Sequence, residues 1–167
     1  IVAPGEIGQL ITRGPSLLTE YFKLPDKTAE ALHAGWFWSG DATFLDEEGF
    51  MTVMGRMDHT IKSGGENIHP SEVENVLFEH PGIVNAAVVG LPSRKWGMVV
   101  CAAIIKKDAQ LTADALDRFC RERPDLAQFK RPRHYYFVDE IPSNSTGKVE
   151  RGKLKEQLMA RLTQPLD

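Results

Sequence analysis

The stretch Gly55-Arg56-Met57-Asp58-His59-Thr60-Ile61-Lys62-Ser63-Gly64-Gly65-Glu66-Asn67-Ile68-His69-Pro70-Ser71-Glu72-Val73-Glu74 marks where the chain changes character. Ile61-Lys62-Ser63 and Glu66-Asn67-Ile68 are two short strand-like runs separated by two glycines. This spacing predicts a tight β-hairpin with Gly64 and Gly65 in a type I′ turn, whose central residues both need positive φ. Pro70 suits a first helical turn, Ser71 and Glu74 have capping-box spacing, and Val73, Val76 and Leu77 share one helical face. A helix is therefore expected directly after the hairpin.

Downstream, helix and strand alternate. Ile83 to Val89 and Met98 to Ile105 read as strands, the second so continuously apolar that a central position is expected. Thr112 is a good N-cap for a helix with Leu116, Phe119 and Cys120 on its apolar face, stopped before Pro124. Tyr135-Tyr136-Phe137-Val138 reads as a further strand, and Leu154, Leu158 and Leu162 at four-residue spacing define a last helix. The pattern predicts an α+β domain over residues 58–167, a central sheet flanked by helices and the β-hairpin.

Upstream, Gly8 to Gly14, Trp36 to Trp38, Ala42 to Leu45 and Phe50 to Met54 read as strands, with Asp46-Glu47-Glu48-Gly49 a hairpin-type turn between the last two. Helical turns are expected from Lys27 to His33, after Pro25. These strands are too few to cover a core of their own, so residues 1–57 read as the β-rich end of a larger domain. The chain opens on Ile1 rather than Met and shows no signal-like or bilayer-spanning apolar run, which predicts a piece of a soluble protein.

Composition is that of a globular protein: 167 residues, 42% hydrophobic and 26% charged, with a formal net charge of −3. No overall positive field speaks for nucleic acid or an anionic membrane. Cys101 and Cys120 lack metal-ligand spacing and read as reduced, buried thiols of a cytoplasmic protein. His33, His59, His69, His80 and His134 are scattered and complete no ligand set, so no metal site is expected.

Three loops concentrate unusual residues: Ser39-Gly40-Asp41; Gly55 to Asp58 leading to Lys62, Gly64 and Gly65; and Pro142-Ser143-Asn144-Ser145-Thr146-Gly147-Lys148. Singly, each has a plain reading: Gly40-Asp41 as a turn, the glycine pair as a hairpin, Lys148 as a solvated lysine. Gly147-Lys148 is not a Walker loop, because Pro142 stands where its first glycine belongs and Val149 replaces the Ser/Thr.

In this order and spacing the loops resemble three signature motifs of the adenylate-forming superfamily, which includes acyl-CoA synthetases, peptide-synthetase adenylation domains and luciferases. Trp36-Phe37-Trp38-Ser39-Gly40-Asp41 is similar to its aromatic-x-Thr-Gly-Asp, with Ser39 for Thr. Gly55 to Glu74 resembles its hinge motif, and Pro142 to Lys148 its last motif, Pro-x-x-x-(Ser/Thr)-Gly-Lys. The resemblance spans essentially the whole chain and is closest to aryl- or fatty-acyl-CoA ligases.

The resemblance implies that residues 1–57 end the large AMP-binding domain and residues 58–167 form its mobile C-terminal domain. It implies a ribose contact for Asp41, a nucleotide contact for Arg56, a hinge at Asp58 and the catalytic adenylation lysine in Lys148. After rotation about Asp58, Lys62 and Gly65 would face the active site, Gly65 leaving room for a pantetheine arm. Trp96, Phe129, Arg131 and Arg133 match positions around the CoA nucleotide. ATP with Mg²⁺, CoA and a carboxylic acid are implied as substrates, with no tightly bound cofactor. A peptide-synthetase adenylation domain, or a free-standing CoA- or nucleotide-binding module, stays open as an alternative. The family's phosphate loop, adenine segment and carboxylate pocket have no counterpart here, so the chain by itself is expected to be inactive. It is expected to need the large domain of the same polypeptide, or to self-associate through its β-rich segment.

Overall fold

The structure, a computed structural model, describes residues 2–162 and 166. The chain divides into two compact units, Ile1–Asp58 and His59–Asp167.

In the first unit, β1 (Gly8–Thr12), β2 (Leu32–His33) and β4 (Met51–Arg56) all pair antiparallel with β3 (Trp36–Leu45), and α1 covers Pro25–Ala31. The two aromatic and aliphatic runs read as separate strands are one. Gly40, expected in a turn, lies inside β3 at a φ of +75°, and the register slips against β1 between Gln9 and Ile11, opposite the stretch that holds Gly40, and against β4 between Ala42 and Thr43. A glycine that accepts positive φ lets the strand bulge and continue. Of the described residues here only Ala42 and Thr43 are buried, while Leu45, Phe50, Met51 and Val53 stay exposed.

The second unit runs β5 (Ile61–Ser63), β6 (Glu66–Ile68), α2 (Pro70–Phe78), β7 (Ile83–Ser93), β8 (Gly97–Lys106), α3 (Ala113–Glu122), β9 (His134–Phe137) and α4 (Arg151–Met159). Its sheet has the order β6-β5-β8-β7, with β9 added parallel to β8. β8 is thus central, as its apolar run predicts.

Alternation along β7 and β8 builds two cores, one on each face of the sheet. Ala86, Val88, Val100, Ala102 and Ile104 meet α2, α3 and the hairpin residues Ile61 and Ile68. Ala87, Val89, Val99, Cys101 and Ala103 meet Leu154 and Leu158 of α4, with Ile141. The cysteines fall in different cores. Burial pushes the Cys101 thiol up to about 12 and raises that of Cys120, which keeps both inert.

Thr112 caps α3 as expected, its hydroxyl accepting from the Ala115 N–H at 3.2 Å. The capping box of α2 is not formed: the N-cap is His69, without a side-chain cap bond. The Glu74 carboxylate is drawn elsewhere. It accepts from the Val88 N–H at 2.7 Å and from Arg151 at 2.6 and 2.9 Å, while Arg151 also donates to the Val88 carbonyl at 3.2 Å. β7 closes one side of the sheet, and this ion pair satisfies backbone groups that an edge strand would leave open. Leu162 lies beyond α4 but packs on the same core as Leu154 and Leu158. Among the described residues, no helix is long and apolar enough to cross a membrane.

Candidate functional site

In the first unit, the β3–β4 register sets Asp41 opposite Arg56. The Arg56 guanidinium lies 3.5 Å from Asp41 Oδ1 and 3.5 Å from Asp58 Oδ1, and it donates to the Ser39 carbonyl. The Ser39 hydroxyl donates to the Leu10 carbonyl at 2.9 Å and accepts from the Asp41 N–H at 3.0 Å, locking this bend of the strand. A hydroxyl suffices for both bonds, so Ser39 serves where a threonine would.

Arg56 and Asp58 line a cleft of about 520 Å³ with Gln9, Tyr21, Lys27 and Trp38. Asp41 is paired to Arg56 rather than lining it. Gly40 makes the arrangement possible, since a Cβ there would stand 2.5 Å from an Arg56 nitrogen. Gly40→Ala is expected to displace Arg56 and to cost ~1–2 kcal/mol in backbone strain alone. Thermal unfolding checks this against Gly14→Ala, where an added Cβ meets nothing within 4 Å.

In the second unit the hairpin turn has the expected geometry, Gly64 at φ +59° and Gly65 at +91°. Gly64 also packs against Trp96: its N–H donates to the Trp96 carbonyl at 2.9 Å, and an added Cβ would meet the indole at 2.8 Å. Gly65 faces open space, and its φ alone demands glycine. Lys62 is exposed on β5 opposite Asn67.

Trp96, Phe129, Arg131 and Arg133, far apart in sequence, do come together around one hollow of about 80 Å³ beside Ser63 and Gly64. Trp96 and Phe129 are exposed there. Arg131 is buried and paired with Asp117. Burial, and then the neighbouring Arg131, hold the Arg133 guanidinium below its usual value. Both arginines also line a second, larger cleft along α3, of about 490 Å³.

The last loop is organised by Asn144. Its Oδ1 accepts from the Thr146 N–H, the Thr146 hydroxyl and the Lys148 N–H at 2.8–3.0 Å, with Gly147 at φ +79° completing the turn. Lys148 is exposed at its end, with no carboxylate within ion-pair distance among the described residues. Val149 and Ile141 tie this loop to the core on the α4 face, whereas Ile61 and Ile68 tie the hairpin to the other core. The loop that carries Lys148 and the hairpin that carries Lys62 are therefore tied to cores on opposite faces of the sheet. Asn144 and Asp117 have no role in the sequence reading, and Gly40 and Gly64 are legible there only as turn glycines, without their contacts to Arg56 and Trp96. Asn144 carries a local signal, the side-chain turn typical of Asn; Asp117 carries none.

Residues 72–148 match the family described as AMP-binding enzyme C-terminal domain. The chain is 44% identical over 154 residues to the 2-succinylbenzoate–CoA ligase of Geobacillus kaustophilus strain HTA426, covering 92% of this chain and 31% of that protein. It is 40% identical over 154 residues to the fatty acid–acyl-carrier-protein ligase ScoC of Streptomyces coeruleorubidus, covering 92% and 30%. Among solved structures it is similar to o-succinylbenzoate CoA synthetase from Bacillus subtilis in complex with the acyl-adenylate intermediate. That likeness has a TM-score of 0.86 at 37% identity and covers 92% of this chain and 31% of that one. The chain thus spans less than a third of the length of these relatives.

Proposed function

We propose that the chain, whose residues 72–148 match the C-terminal domain of AMP-binding enzymes, belongs to the adenylate-forming enzymes and serves an ATP-dependent carboxylic acid:CoA ligase, a reading its likeness to such ligases supports. The whole enzyme converts a carboxylate and ATP, accompanied by Mg²⁺, to acyl-adenylate and pyrophosphate. It then passes the acyl group to the CoA thiol and releases AMP.

The observation that carries the acceptor is the meeting of Trp96, Phe129, Arg131 and Arg133 at one hollow next to the hairpin turn. Aromatic faces suit an adenine and guanidinium groups suit its phosphates. Asp41 and Arg56 serve the ATP side, the carboxylate suiting ribose hydroxyls. Lys148 acts in adenylation; Lys62 and Gly65 act in thioester formation, after the second unit turns about Asp58. The partner is the large domain of the same polypeptide, and the apolar side chains exposed on β3 and β4 support its covering them. The cytoplasm, which supplies ATP and CoA, is the compartment.

A second reading, transfer to the pantetheine of a carrier protein, is favoured by the likeness to ScoC. The full-length enzyme decides. A panel of aryl and fatty acids is expected to include one that drives pyrophosphate release and then CoA-dependent AMP release. Gly65→Leu should slow the second step at least about tenfold and spare the first, since a side chain at φ +91° obstructs the arm and strains the turn. Turnover with a pantetheinylated carrier but not with CoA selects the second reading; no pyrophosphate release with any acid sinks both.

A further inference from the structure

Arg131 stands on the wall shared by the Trp96–Phe129 hollow and the larger cleft along α3. A long arginine side chain recognises phosphate well only if its planar fork is held in place, because free rotation costs ~2 kcal/mol in rotamer entropy. The holder here is Asp117. One of its oxygens accepts from Arg131, and the other takes Arg121, one helical turn on, at 2.7 Å. The two pairs differ in surroundings. Arg131 is 11% exposed and Asp117 25%, so their contact is sheltered; Arg121 is 58% exposed, and solvent screens its contact. Asp117 itself sits on a rigid support, since α3 is capped by Thr112 and its Leu116 and Cys120 are buried in the core.

We propose that Asp117 is a positioning residue for acceptor binding. It fixes Arg131 so that guanidinium N–H groups not engaged by the carboxylate are directed at the phosphates of the nucleotide end of the acceptor. The inference rests on reading that acceptor as CoA. Charge and geometry make opposite predictions, which gives the idea its test. Removing a carboxylate beside a phosphate site makes the local field more positive, so by charge alone Asp117→Asn tightens CoA binding. Removing the holder of Arg131 weakens it.

In the full-length ligase, Asp117→Asn is expected to raise the KM for CoA about tenfold and to bring the preference for CoA over dephospho-CoA towards unity. The rate of pyrophosphate release should stay within about twofold, a split that general loss of structure would not produce. In an Arg131→Ala background the same substitution should have no further effect on the KM, because the group it positions is gone. An unchanged or lowered KM in Asp117→Asn, with a raised KM in Arg131→Ala, overturns the positioning role and leaves the CoA site standing. An unchanged KM in Arg131→Ala overturns both. Should Asp117→Asn not fold, Asp117→Glu keeps the charge and lengthens the arm by one methylene. Binding of adenosine 3′,5′-bisphosphate to that variant should weaken about threefold or more, and an unaltered Kd counts against the proposal.

Discussion

Replacing Lys148 with alanine in the full-length ligase should slow acyl-adenylate formation by about 10²- to 10³-fold, the typical loss when one preorganised charge partner of a transition state is removed. Thioester formation from supplied acyl-adenylate should stay within about twofold. The geometry of the loop suits that proposed role. Three bonds to Asn144 and the positive φ of Gly147 fix the backbone that leads into Lys148, and its ammonium is left without an ion-pair partner among the described residues. The charge is then fully available to hold the attacking carboxylate beside the α-phosphate and to stabilise the charge on the phosphoryl oxygens in the transition state. Sparing of the second step follows from the anchoring of the Lys148 loop and the hairpin to cores on opposite sheet faces. Single-turnover pyrophosphate release and a separate thioester assay measure the two steps, and equal losses in both would refute the division of labour.

Glu74→Gln should destabilise the second unit by about 3–5 kcal/mol, the range for breaking a buried ion pair from one side. The Glu74 side chain is 11% exposed and that of Arg151 18%. The substitution strands a sheltered guanidinium and weakens the acceptor for the Val88 N–H. A paired change to Glu74→Met with Arg151→Leu should recover much of the loss, because it removes both desolvated charges together. The exposed pair Lys153–Glu150 gives the contrast, with less than about 1 kcal/mol expected for Lys153→Ala. Chemical denaturation measures all three; a loss below about 1 kcal/mol for Glu74→Gln would mean that the clasp is dispensable.

Local signals were legible wherever local chemistry decides. Two adjacent glycines specified the hairpin, Thr112 specified the start of α3, and the apolar run from Met98 specified the central strand. Long-range partners overrode the rest. The Ser71–Glu74 spacing is a real capping signal, but Glu74 answers to Arg151, 77 residues away. Gly40 read as a turn because nothing near it in sequence shows that the Arg56 side chain lies against it. Asp117 and Arg121 look like a solvated pair on a helix surface, and only the return of the chain at Arg131 gives the carboxylate a second partner. Trp96, Phe129, Arg131 and Arg133 were identified by family resemblance; their convergence is a tertiary fact.

The Glu74–Arg151 clasp has a mechanical consequence. Arg151 follows Lys148 by three residues, and Glu74 follows the last hairpin residue, Ile68, by six. One short contact therefore braces the roots of both loops against each other across β7. A unit so braced is a stiff lever: if it swings about Asp58, the separation of its two working tips is preserved, and compliance is confined to the pivot. Loosening the brace would turn one rigid motion into two independent wobbles and blur the alignment of both tips at once, even though neither Glu74 nor Arg151 need touch a reactant.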